Sequence, residues 1–228
     1  MPQKLLDPRD PNPTTGTWSP KGPLPSRVRE FGRFPDLDSW RPGDVLLVSA
    51  LWPDWISRSI QGGQKKGGYD SEDARWHHAA VYIGDASICE AAWSGVRVDS
   101  LYSYIGTHLL RVRRDPKLTD DQRWSIVVRA LTYLRSSYGY PQLFKLGLQA
   151  LRGFYRDWGV HATFAPGAVI CSQLFADSYA WVTERLLLKG LATPASLSQT
   201  DRLEDVDLSW RELPSAPKAS SGAPGGSG

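Results

Sequence analysis

Covalent and proton-transfer chemistry at neutral pH needs thiols and imidazoles, and this chain of 228 residues has only two cysteines and four histidines. Cys171 lies in Gly167-Ala168-Val169-Ile170-Cys171-Ser172-Gln173-Leu174-Phe175, where an apolar strand-like run stops and a helical pattern begins. That spacing predicts a thiol at a helix N-terminus, where unpaired N–H groups and the helix dipole favour the nucleophilic thiolate. Such a thiol needs a base, and the base needs a group to orient it. His77 and His78 open the run His77-His78-Ala79-Ala80-Val81-Tyr82-Ile83-Gly84. Side chains alternate along a strand, so only one of the two can face the helix. His77 shares the greasier face of Ala79, Val81 and Ile83. His78 shares a face with Ala80 and Tyr82, whose smaller residues leave room for a substrate and a thiol. His78 is therefore the expected base, with His77, Tyr82 and Trp93 as candidate substrate contacts.

The next strand, Ile88-Cys89-Glu90-Ala91-Ala92, follows a short connection and should pair antiparallel with the first. A carboxylate in an apolar strand is costly unless paired, and orienting His78 would give Glu90 a partner. Cys89 should face away from Glu90 into the core. The backbone N–H of Cys171 is the expected oxyanion donor. Taken singly, these residues have plainer readings: a lone cysteine is usually a small core hydrophobe, and a lone histidine at a strand start is usually structural. His108 and His161 lie in loop-like contexts, and Asp44 reads as a turn residue. Cys171, His78 and Glu90 gain force together, because they satisfy one mechanism.

These residues need a frame. Gly43-Asp44-Val45-Leu46-Leu47-Val48-Ser49 reads as a buried strand after a turn at Arg41-Pro42. A short helix from Trp55 to Ile60 and a mobile Gly/Lys loop follow. Strands are expected at His77 to Ile83, Ile88 to Ala92, Val96 to Asp99 and Leu109 to Arg113. The pattern then turns helical. Thr119-Asp120-Asp121-Gln122 fits a capping box, and Trp124, Val127, Val128, Leu131 and Leu134 form an apolar stripe that ends at Gly139. A second helix is expected from Pro141 to about Gly153, and a third from Cys171 to about Leu188. Strands first and helices after suggest an α+β domain with an antiparallel sheet packed against helices. Residues 1–38 read as a Pro-rich arm, poorly ordered or draped on the surface, and 39–211 as the catalytic domain. Residues 212–228 read as a disordered Gly/Ser/Pro tail.

Composition narrows the function. A net charge of +3 gives no argument for a nucleic-acid partner. Arg111, Arg113, Arg114 and Lys117 read as a solvated strand end. Two cysteines exclude a disulfide framework and a Cys-based zinc site; no metal or organic cofactor is expected. The segment Met1-Pro2-Gln3-Lys4 lacks the apolar core of a signal peptide, and no run approaches transmembrane length. The expectation is a cytoplasmic product with no transmembrane segment, or one exported by another route to act at a membrane surface or cell envelope.

The motifs Gly43-Asp44-Val45-Leu46, His78 to Gly84, Ile88-Cys89-Glu90-Ala91 and Ile170-Cys171-Ser172-Gln173-Leu174, in that order, resemble the circularly permuted branch of the NlpC-like, papain-like cysteine hydrolases. That branch includes the YiiX-like proteins and the lecithin–retinol acyltransferase-like enzymes. Pro194-Ala195-Ser196-Leu197 is similar to the YiiX-like closing loop. The resemblance covers about residues 40 to 208. It departs at the His77-His78 doublet, the Gly/Lys loop and the Trp-rich arm. It implies a papain-like fold with Cys171 as nucleophile, His78 as base and Glu90 as the third polar residue, acting through a thioester on an ester or amide bond. Trp52, Trp55, Trp76 and Trp93 near the expected site, with Leu143, Phe144, Leu146, Leu148 and Leu151 on the second helix, lean toward an acyl-lipid substrate. The alternatives are a cell-wall peptidoglycan peptide amidase with the same triad and an inactive binding module of the same fold.

Overall fold

The computed structural model describes residues 3–19, 22–92, 94–134 and 171–214. Its centre is an antiparallel sheet of six strands: β3 (Val45–Ala50), β4 (His78–Gly84), β5 (Ser87–Ala92), β6 (Gly95–Ser100), β7 (His108–Arg114) and β8 (Glu204–Asp205). They lie in the order β6-β5-β4-β3-β7-β8. A second sheet joins β1 (Thr14–Thr17) and β2 (Arg33–Pro35) to β9 (Trp210–Glu212), with β9 in the middle. The helices are α1 (Ser26–Phe31), α2 (Trp55–Lys66), α3 (Ser71–Ala74), α4 (Asp120–Leu131), α5 (Cys171–Thr183) and α6 (Pro194–Gln199). The molecule is α+β. Among the described residues, no helix is long and apolar enough to cross a membrane.

The large sheet is buried on both faces, which is why β3 reads as an unbroken apolar run. Alternation divides its side chains between two cores. Val45, Leu47, Ala79, Val81, Cys89 and Ala91 pack against Ile126 and Val127 of α4 and Leu174, Phe175 and Tyr179 of α5. Leu46, Val48, Ala80, Tyr82, Ile88, Leu110 and Val112 pack against Leu6, Val28, Phe34, Trp40 and Trp210.

The second core corrects the reading of residues 1–38. Leu6 bridges Leu110, and its amide donates to the Leu110 carbonyl at 2.8 Å. β1 and β2 flank β9. Leu6, Val28 and Phe34 are fully buried. The arm is thus a packed layer of the domain. Its elements are only three to six residues long, too short to print a hydrophobic period. The expected tail of residues 212–228 starts on a strand residue: Glu212 closes β9, while residues 215–228 lie outside the described residues.

Other boundaries moved for physical reasons. α2 does not stop at Ile60 but continues through Gly62-Gly63 to Lys66. Glycine in a helix costs about 1 kcal/mol each. Here Asp54 caps the N-terminus by accepting from the Ser57 amide. Buried Gln64 donates to the carbonyls of Ala74 and Trp76 and accepts from the Ala195 amide. α5 ends at Thr183 rather than near Leu188, and Glu184 follows in the left-handed region (φ 54°). The Thr119–Gln122 capping box is present at the start of α4. Gly139 and the expected helix from Pro141 lie outside the described residues.

Of the basic cluster only Lys117 is solvated; the three arginines are not. Arg111 and Arg113 are buried. The Nε of Arg111 meets Asp205 at 2.6 Å, and Arg113 donates to the carbonyls of Leu197 and Ser198 at the end of α6. Arg114 grips Asp44 at 2.6 and 2.7 Å. Asp44 is a turn residue, accepting from the Arg41 amide, but it is also fully buried between Arg114 and Arg123. Burial pushes its carboxyl above the usual range despite these cations.

Gly43 makes this junction close. Its φ is 84°, and a Cβ there would lie 2.9 Å from the Arg123 carbonyl oxygen. Gly43→Ala should therefore destabilise the fold by about 1–3 kcal/mol, read as a lower urea midpoint at unchanged slope. An unchanged midpoint would mean that the β3 turn and α4 separate freely.

Candidate active site

β4 and β5 form a hairpin whose two connecting residues, Asp85 and Ala86, both have positive φ, as a type I′ turn requires. Continued unbroken from the Gly84–Ser87 pair, the register would set Glu90 opposite Val81, on the α5 side. A register shift between Tyr82 and Gly84 instead sets Glu90 opposite Ala80. Glu90 thereby lies on the face that His78 also occupies, two residues along the strand from its partner Ala80. On the other side β6 places Arg97 directly opposite Glu90.

Glu90 is buried and fully engaged. Its Oε2 lies 2.8 Å from His78 Nε2 and accepts the hydroxyl of Tyr104. Its Oε1 accepts Nε and an η-nitrogen of Arg97 at 3.1 and 2.9 Å. Arg97 is itself held by Asp99 at 2.7 Å. Burial would raise the Glu90 carboxyl, but His78, Tyr104 and Arg97 outweigh it and bring it down to about 2.

With Nε2 committed to Glu90, Nδ1 is the His78 nitrogen left for Cys171, which opens α5 within hydrogen-bond reach of the ring. Burial opposes a charged ring, yet the Cys171 sulfur and the Glu90 carboxylate raise it to about 10. Burial likewise opposes a thiolate. The His78 charge and the backbone N–H groups of Ala79 and Ser172 overcome this and hold Cys171 below an ordinary thiol. Both shifts run in the direction that favours a thiolate beside an imidazolium, the form in which a thiol attacks without prior loss of a proton.

His77 plays a different part. Its Nε2 accepts the Ala50 amide at 2.9 Å, and burial beside His78 and His108 brings it down to about 3. It is a neutral strap between β4 and β3, with its basic nitrogen occupied. Tyr82, expected at the substrate, is buried in the second core with Trp40 packed edge-on at 5.3 Å. The room expected beside Ala80 and Tyr82 is filled by Trp40 and the N-terminal layer. Trp93 and His161 lie outside the described residues. Cys89 sits in the first core, its thiol pushed up to about 12 by burial. His108, expected in a loop, opens β7; it is half-buried, contacts the Tyr104 ring edge-on at 5.1 Å, and partial burial brings it down to about 4. Trp76 belongs to the core, whereas Trp52 and Trp55 are 79% and 75% exposed on the segment leading from β3 into α2. The leucine-rich stretch from Leu143 lies outside the described residues.

Two residues at the site were not read from the sequence. Arg97 carried a signal: a two-residue connection between Ala92 and Gly95 fixes Glu90 against Arg97 by simple counting. Tyr104 carried none, because it follows a 3-10 turn (Leu101–Ser103) whose path depends on the rest of the fold.

No family model and no curated protein matches the chain. Among solved structures it is similar to the crystal structure of the metalloprotein YiiX from Escherichia coli O157:H7. The two are 14% identical with a TM-score of 0.51, over 76% of this chain and 98% of that one. Among the described residues here, no group of three or more His, Cys, Asp or Glu could hold a metal ion. At that identity the likeness is one of fold, and it gives this chain a YiiX-like α+β architecture.

Proposed function

We propose that the protein is a cysteine-dependent acyl-transfer enzyme, a hydrolase or acyltransferase working through a thioester on a permuted papain-like fold. The observation that supports it most is the line Cys171–His78–Glu90. A thiol at the start of a helix meets an imidazole whose far nitrogen is held by a buried carboxylate.

The Cys171 thiolate attacks the carbonyl carbon of an ester or amide, and the carbonyl π electrons move onto oxygen. The Cys171 backbone N–H at the helix start is the donor suited to that oxyanion. On collapse the bond to the leaving group breaks, and the Nδ1 proton of His78 passes to the departing oxygen or nitrogen. A thioester remains. Nδ1 then takes a proton from water or another acceptor as it attacks, and the thiolate leaves. Glu90 stays ionised and stabilises the imidazolium. Exposed Trp52 and Trp55 favour an acyl-lipid substrate met at a membrane surface.

The test is peptide mapping by mass spectrometry after incubation with a phospholipid extract or with purified peptidoglycan, using Cys171→Ala protein as the blank. The expected result is an acyl adduct on Cys171 and released fatty acid or transferred acyl chain from lipid. Muropeptide cleavage alone would move the substrate to cell-wall peptides. No adduct and no product from either would overturn the enzyme reading in favour of a binding module.

A further inference from the structure

Glu90 has two oxygens and four donors, and their division is uneven. Oε1 belongs to Arg97 alone, which Asp99 fixes from the other side. Oε2 is shared between His78 Nε2 and the Tyr104 hydroxyl. The Tyr104 ring lies between the two histidines, its centroid 6.0 Å from His78 and 5.1 Å from His108.

We propose that Tyr104 is a positioning residue for His78: its phenolic proton competes with the imidazole for one carboxylate oxygen and limits how tightly the acid holds the ring. This rests on the acyl-transfer reading above. The reason is chemical. An imidazolium must be stable enough to keep Cys171 ionised, yet must surrender its proton to the leaving group in each cycle. An undivided carboxylate would deepen the first property at the expense of the second. Tyr104 can act only as a donor here, because burial and the charges of Glu90 and Cys171 push its phenol far above the usual range. The groups that face His78 and Glu90 are Cys171 from α5, His77 from β4, Arg97 and Asp99 from β6, Tyr104, and His108 from β7. Arg27 of α1 reaches the Ser103 and Ile105 carbonyls behind them. Of these, Tyr104 is the one neutral donor on Oε2.

The test needs no substrate: the rate of Cys171 alkylation by iodoacetamide is followed from about pH 4 to about pH 10. The parent should show a low-pH step for thiolate formation beside the imidazolium and a high-pH step as the ring loses its proton. Tyr104→Phe keeps the ring against both histidines and leaves Arg97 on Glu90. It should lower the first step and raise the second, each by about half a unit, with an unchanged melting temperature. In turnover, kcat should fall while KM stays. Tyr104→Leu, which also removes the ring, separates packing from the hydroxyl. If Tyr104→Phe superposes on the parent and only Tyr104→Leu departs, the phenol has no such role and the proposal falls. A parent thiol that titrates in one step at the ordinary value would overturn the ion pair, and the acyl-transfer reading with it.

Discussion

His78→Ala protein should lose acyl transfer by about two to four orders of magnitude while remaining folded. The same substitution should make Cys171 an unusually sluggish thiol. Two influences oppose each other at that sulfur, with burial raising its pKa and His78 lowering it. Removing the imidazole leaves burial dominant, so the variant thiol should titrate above the ordinary cysteine range. Iodoacetamide labelling near neutral pH should slow accordingly. His77→Ala is the informative contrast. It deletes the acceptor of the Ala50 amide and should cost stability, with the low-pH alkylation step retained. Equal labelling of His78→Ala and parent across the pH range would show that His78 does not activate the thiol.

The largest effect on stability is expected at Glu90. Glu90→Ala leaves Tyr104 and the largely buried His78 ring without their shared acceptor, while Arg97, 48% exposed, keeps Asp99, so a loss of about 3 kcal/mol is expected, the low end for a broken buried ion pair. Its pH dependence has a definite sign. The folded carboxyl is depressed to about 2 from an ordinary value of 4.5. Its contribution is therefore complete above the upper value and lost as pH falls through the lower one. Parent protein should lose stability in urea across that window, and Glu90→Ala, already destabilised, should lack that limb. A variant with the parent's acid limb would place the titrating group elsewhere.

Much of this site could be read in the residues themselves, though not always for the right reason. The strand-to-helix break at Cys171 and the isolated carboxylate at Glu90 both signalled residues that the fold brings together. The alternation of side chains favours His78 over His77 on the ground of a roomy face toward the helix. The fold gives a different cause. The residues packed on α5 are Ala79 and Val81, the other face, and His78 meets Cys171 because it begins the strand beside the helix N-terminus. The register shift that turns Glu90 toward His78 ends at Gly84, whose φ is 104°; that glycine is its one mark in the sequence, and it reads equally well as the start of the hairpin turn. The arm's packing was hidden because short elements carry too few residues to show a period. The burial of Arg111 and Arg113 was hidden because their partners lie more than 80 positions away.

The sheet formed by β1, β2 and β9 has a consequence for the order of assembly. Thr14 pairs with Trp210, and the Trp18 amide donates to the Glu212 carbonyl, so this layer cannot close until the chain has been made through Glu212. Contacts so distant in sequence form against a large loop-closure entropy. The same layer backs Ala80 and Ile88, which flank Glu90 on its sheet. During synthesis the β4–β5 hairpin that carries His78 and Glu90 would therefore stay unbacked on this face until Glu212 has been made.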